Sequence, residues 1–167
     1  PGSHQLSKGQ PNISSHAAER GTMLHAQAEL AIEGRPFSLS LNEEDLALIQ
    51  PYIDYCLSLK KISDIGEQMT LRLNLVAKET GQNMVVQNVG SMFHPVFTDL
   101  DAITGYRDFC GTVDLAKYGV FSQLMRDQGI FFSGNKILHN LSCTEHTQSD
   151  IDVSIEAAGK ALEQMTK

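Results

Sequence analysis

The apolar period of this chain changes at Thr80-Gly81, and that change limits the folds open to it. Before it, Ile62, Ile65, Met69, Leu73 and Val76 recur at steps of three, four, four and three residues. That is the spacing of a helix with one face in a core. Gly81 suits the left-handed residue that closes such a helix. After it, Met84-Val85-Val86 and residues 91–97 read as two strands, with Gly90 at the turn or bulge between them. Pro95 has no N–H for a ladder, so the second strand is expected at an edge or bulged.

The last helix is the clearest element. Ile151, Ile155, Ala158, Leu162 and Met165 step by four, three, four and three, and Thr147 with Asp150 has capping-box spacing. Between hairpin and last helix, residues 99–112 read as a surface loop. Thr112 then caps a helix with Val113, Ala116, Val120 and Leu124 on its buried stripe, and Gly129 stops it. Residues 130–132 and 137–143 read as two further strands around a turn at 133–136.

Upstream, Asn42 or Ser40 can cap a helix carrying Leu46, Ile49, Ile53 and Leu57, which Pro51 is expected to kink or break. Residues 1–20 are polar, rich in Ser, Gly and Pro, and without period. The expected division is therefore a flexible arm over 1–37, with Pro1-Gly2-Ser3-His4 matching a vector remnant, and a domain over 38–167. Helices and short strands in this order predict an α+β fold, a small, mainly antiparallel sheet covered by helices.

Charge and composition exclude several classes of function. A net charge of -7 without a Lys/Arg cluster argues against nucleic acid and anionic membrane surfaces as partners. No apolar run approaches the roughly 20 residues of a membrane helix, and no basic-then-apolar opening suggests a signal peptide. Cys56, Cys110 and Cys143 are widely spaced and odd in number, which fits buried free thiols in a reducing, cytoplasmic setting. No His, Cys and carboxylate grouping has metal-ligand spacing, no Gly-rich phosphate loop occurs, and no local signature of a Ser-His-Asp site is present. Neither a metal nor a catalytic residue is expected in the chain.

Four motifs in residues 62–166 occur together. A helix runs into Val89-Gly90-Ser91-Met92-Phe93. Phe97-Thr98 precedes a loop containing Ile103-Thr104-Gly105-Tyr106-Arg107-Asp108. Phe121 to Met125 leads into Gln128-Gly129-Ile130-Phe131-Phe132. Leu141-Ser142-Cys143-Thr144-Glu145-His146-Thr147 is followed by Asp150-Ile151-Asp152. Their order, and the ungapped spacing from Gly129 to His146-Thr147, resembles the C-terminal small domain of class III pyridoxal-phosphate aminotransferases of the glutamate-1-semialdehyde aminomutase type.

The resemblance implies a domain that closes over substrate beside a large cofactor-binding domain, in a parent enzyme that binds pyridoxal phosphate and is a homo-oligomer. His94, His139 and Asn140 are the candidates for the substrate-pocket rim, although each also fits a structural role. Gly21-Thr22 echoes the family's G-T-F turn, whose Thr reaches the cofactor phosphate. The family's Glu in the turn after its aromatic strand corresponds to Leu138 here, which weakens the aminomutase assignment. The Schiff-base lysine context and the D-E-V segment of the large domain are absent from this sequence. Without an imine-forming lysine and an acidic partner for the ring nitrogen, the chain is expected to be inactive alone and to hold no cofactor. The alternative reading is a standalone, non-catalytic binding or interaction module derived from that domain, favoured by the departure of residues 1–61 from the family.

Overall fold

The computed structural model describes residues 13–166, and for residues 13–16 the backbone alone. In chain order the elements are α1 (Ile13–Ile32), α2 (Glu43–Glu79), β1 (Met84–Val89), β2 (Met92–Phe97), α3 (Tyr106–Thr112), α4 (Leu115–Asp127), β3 (Asn140–Leu141) and α5 (Gln148–Gln164). The chain divides into two compact units, one ending at Leu59 and the other beginning at Lys60. This division falls inside α2 rather than at 37/38. No described helix is long and apolar enough to cross a membrane.

In the first unit, α1 replaces much of the expected flexible arm, of which residues 1–12 lie outside the described residues. Leu24 and Ala28 of α1 are buried with Ile49 and Ile53 of α2, which gives the polar α1 sequence a partner. Gln27 is buried and its Oε1 accepts the backbone N–H groups of Ser38 and Leu39, which ties the connection between the helices to α1. Asn42 caps α2 by accepting the Asp45 N–H at 2.8 Å, and Asp45 pairs with Arg20 at 2.6 Å. Pro51 does not break α2. Ile49 and Ile53, on either side of it, are both buried, so the helical register holds across the lost backbone bond.

The second unit is built on a three-stranded antiparallel sheet in the order β1-β2-β3. Gly81 closes α2 in the left-handed region, with Gly81 and Gln82 N–H groups returned to the Lys78 and Ala77 carbonyls. Gly90, at φ +56°, begins the two-residue turn that joins Val89 to Met92. β2 is central, which corrects the expected edge position. Pro95 is tolerated there because β3 pairs only with Met92 and Phe93 and never reaches it. On the other side Pro95 faces Val86. The Thr98 N–H donates to the Asn83 carbonyl at 2.9 Å, and the ladder's alternation from there makes Val86–Pro95 a non-hydrogen-bonded pair.

The outer edge of β1 is met by α2. Asn74 Nδ2 donates to the Val86 carbonyl at 2.8 Å, and its Oδ1 accepts the Val86 N–H at 2.9 Å. One side-chain amide thus satisfies both free groups of a buried strand residue. At the turn, α2 approaches so closely at Gly66 that a Cβ there would overlap the Gly90 carbonyl oxygen.

One sheet face, with Met84, Val86, Phe93 and Phe97, joins Ile65, Met69 and Leu73 of α2 and the buried faces of α4 and α5. At its centre Phe132 meets Phe93 and Phe121 edge-on at 5.8 and 5.7 Å, and Phe121 meets Phe97 at 5.8 Å. The buried face of α4 is Tyr118, Phe121, Ser122 and Met125; of the expected Val113, Ala116, Val120 and Leu124, Leu124 packs half-buried against the core, while Ala116 and Val120 are exposed and Val113 precedes the helix. Val120 is half exposed, because the bulkier aromatic and Met side chains take the face toward the sheet. Asp114, not Thr112, caps α4, accepting the Ala116 and Lys117 N–H groups at 2.9 Å. Thr147 and Asp150 form the expected capping box of α5.

The two expected late strands reduce to Asn140–Leu141. Side chains do the work of a ladder there: Asn140 Oδ1 accepts the Ser133 N–H at 2.8 Å, and Tyr118 Oη donates to the Ser133 carbonyl at 2.9 Å. The thiols also depart from expectation, since Cys110 and Cys143 are exposed and Cys56 is half-buried, all three free.

Replacing Gly66 by Ala is expected to destabilise the fold by about 1–3 kcal/mol, the cost of forcing a methyl into a packed contact. Gly21→Ala, where nothing lies within 4 Å of the added carbon on a helix, is expected to be neutral or stabilising. Urea midpoints of the two variants check this pair.

Candidate functional site

The other face of the sheet is open. Because side chains alternate along a strand, Gln87 and Val89 of β1 and Met92, His94 and Val96 of β2 point away from the core. Residues 99–112 fold over this face. Gln87 Oε1 accepts the Ile103 N–H at 2.7 Å, and Asp108 accepts both the N–H and the hydroxyl of Thr104, at 3.0 and 2.6 Å. Those bonds hold the Asp108 carboxyl below its ordinary range, the Thr104 hydroxyl contributing most. Phe109 of α3 lies over His94 with ring centres 6.0 Å apart. Ile137 and His139 close the far side, leaving a cavity of about 910 Å³.

Two of the four expected site residues meet here. His94 and His139 have ring centres 5.2 Å apart, and His94 also meets Tyr118 edge-on at 5.8 Å. His94 Nε2 is buried without a hydrogen-bond partner. Burial is the main reason its pKa is lowered, the neighbouring His139 adds to this, and a backbone contact at Lys136 opposes it. His94 is therefore a neutral imidazole at pH 7.

Asn140 is not at this cavity. Successive strand residues face opposite ways, so Asn140 turns inward, where its Oδ1 holds Ser133. Thr22 stands inside α1, its hydroxyl donating to the Ala18 carbonyl at 2.9 Å. The turn on which a phosphate-binding role rested is not formed. Leu138 is exposed.

Tyr106, Phe109, Cys110 and Val113 line the cavity from a segment that reads as loop in the sequence. Their spacing of three, one and three residues is the signal of one helical face and would have located α3.

The lining is chemically plain. It contains no Lys, Arg, Asp, Glu, Ser or Thr. Every described lysine is exposed, and Lys60 and Lys160 pair with Asp64 and Glu156 on the surface. Pyridoxal phosphate needs an amine for its imine, an acidic partner for its ring nitrogen and donors for its phosphate. The residues at this cavity do not fit that group. The cavity instead suits an uncharged or aromatic moiety, with imidazole, phenol and amide groups at its wall.

No family model matches the chain. Among solved structures, it is similar to a transaminase with PLP bound, at 21% identity and a TM-score of 0.51, over 72% of this chain and 25% of that one. It is also similar to an omega-transaminase from Sphaerobacter thermophilus, at 15% identity and a TM-score of 0.55, over 81% of this chain and 32% of that one. The α+β fold, a small antiparallel sheet with helices around it, is thus like that of part of a transaminase. The chain spans about a quarter to a third of the length of those proteins.

The lowered His94 pKa gives a signed prediction. The unfolded imidazole, with a pKa of about 6.5, binds protons that the folded one refuses. Stability therefore falls as pH drops through the unfolded value toward the folded one. His94→Leu is expected to flatten this part of the profile, measured as urea midpoints between about pH 5 and 8.

Proposed function

We propose that this chain is the substrate-closing small domain of a pyridoxal-phosphate-dependent enzyme of the aminotransferase/aminomutase type. The carrying observation is the pairing of fold and size, since most of the chain has the fold of a transaminase but spans only 25% and 32% of the two similar chains. In this reading a large domain supplies the cofactor, its lysine and the acidic partner. This chain supplies one wall of the substrate site, with His94 and His139 facing the uncharged part of the substrate. Of the two activities, amino transfer is preferred, because Leu138 replaces the Glu that the aminomutase type carries.

An apolar row supports the existence of a covering partner. Val89, Met92 and Leu141 are cross-strand neighbours and are 75%, 40% and 65% exposed. A row of this kind, spanning all three strands, is a surface that the rest of a larger enzyme would bury. The parent is proposed to be a cytoplasmic homo-oligomer whose sites lie between subunits.

One observation favours the second reading, a standalone interaction module. The first unit has a core of its own in Leu24, Ala28, Ile49 and Ile53, in the segment where the family motifs are absent.

The flanking coding sequence separates the two. The enzyme reading expects an adjoining reading frame with a lysine beside a Gly-rich segment and an upstream D-E-V. In-frame stop codons directly bounding this segment, with no such domain encoded beside it, would contradict that reading and leave the module.

A further inference from the structure

We infer that the open edge of β3, with the cavity beside it, is a docking site for an extended peptide segment whose alternate side chains are apolar. It is independent of the His94 cavity and of the enzyme reading. β3 is an outer strand of the sheet. The Ser142 N–H donates to the Ser91 carbonyl at 3.0 Å, and the register pairs Phe93 with Asn140 and Met92 with Leu141. Alternation from Ser91–Ser142 makes Phe93–Asn140 a hydrogen-bonded pair and Met92–Leu141 a non-hydrogen-bonded one. The N–H and carbonyl of Leu141 therefore point away from β2, and neither has a partner among the described residues.

The two edges of the sheet thus differ. At β1, Asn74 meets both free groups of Val86. At β3 no described side chain does the same for Leu141. A strand edge left open in this way is a template for another strand.

The cavity beside the edge decides what kind of strand it takes. It has a volume of about 640 Å³ and is lined by both the Gly129–Ser133 and the Leu138–Ser142 segments. Ile65, Met69, Phe93, Phe132 and Ile151, all buried in the core, also line it. In the same lining, the Phe131 and Phe132 N–H groups donate to nothing among the described residues. A strand bonded to Leu141 turns every second side chain toward the core side of the sheet, where this apolar hollow can receive it. Main-chain bonds at an edge with pockets for alternate side chains are how a peptide adds to a sheet. The lining holds no Lys or Arg and its carboxylate is Asp150, so an acidic segment is disfavoured. A second copy pairing edge to edge is disfavoured too. β3 is two residues long, a short seam for two folded domains, whereas a free segment can also enter the cavity.

The probe is a capped peptide of about six residues, alternating valine and threonine with a lysine at one end. It is titrated into the full 167-residue chain, and exchange of the Leu141 amide is followed by NMR. At about ten times the peptide's Kd, that exchange is expected to slow about tenfold, because only the free tenth of the chain remains open. The same peptide N-methylated at alternate residues, on the face that would bond to Leu141, is expected to bind at least about tenfold more weakly. Leu141→Pro removes the outward N–H and no ladder bond, and is expected to weaken the unmodified peptide similarly with an unchanged urea midpoint. If that variant does not fold, the N-methylated peptide decides alone. No slowing at Leu141 up to about 5 mM peptide, or equal binding of the two peptides, would overturn the inference. Leu141 protection that grows with protein concentration in the absence of peptide would assign the edge to a second copy, and would overturn it as well.

Discussion

Asn74 places a side-chain amide where a fourth strand would pair. By donating to the Val86 carbonyl and accepting its N–H, it turns the free edge of β1 into a junction with α2. Leaving a buried backbone pair unmet costs about 1–3 kcal/mol per group, so the contact fixes both the position and the register of the strand. Gly66 sets the spacing at the other end, where α2 comes against the Gly90 turn. With the hairpin pinned at two points, the face it gives to the core is determined. The opposite face is left for His94, Met92 and Val96, and the cavity follows from that orientation.

Much of this was legible because it depends on local period. The buried positions of α5, its capping box, the Ile65-Met69-Leu73 stripe and the Gly81 stop all have their cause within one or two helical turns. The hairpin was legible for the same reason. What was not legible depends on partners remote in sequence. The polar segment at 13–20 becomes helical when Leu24 and Ala28, further along α1, find Ile49 and Ile53. The α4 face is chosen by aromatic packing against Phe97 and Phe132, which outweighs the small and branched residues of the alternative stripe. Residues 130–132 look like a strand, but Asn140 and Tyr118 satisfy the backbone beside them, so no ladder forms.

The candidate site divides in the same way. His94 and His139 are brought together from positions 45 residues apart in number, while Asn140, the next residue, is turned into the core. A one-residue difference on an extended segment decides which side chain faces the cavity, and sequence alone carries no register for so short a strand. The segment over the cavity reads as a loop in the sequence although Tyr106, Phe109, Cys110 and Val113 share a helical face. The cavity that results has no charge of its own. In the proposed enzyme the demanding chemistry belongs to the other domain, and this one excludes water and positions the uncharged part of a substrate.

The central claim is that this chain has the fold of part of a transaminase, and that its described cavity carries none of the groups that would retain the cofactor. Titration with pyridoxal phosphate followed by borohydride reduction tests it most directly. The account predicts only scattered, substoichiometric labelling of exposed lysines, with no saturable imine absorbance. One adduct per chain, saturable and confined to a single lysine, would contradict it.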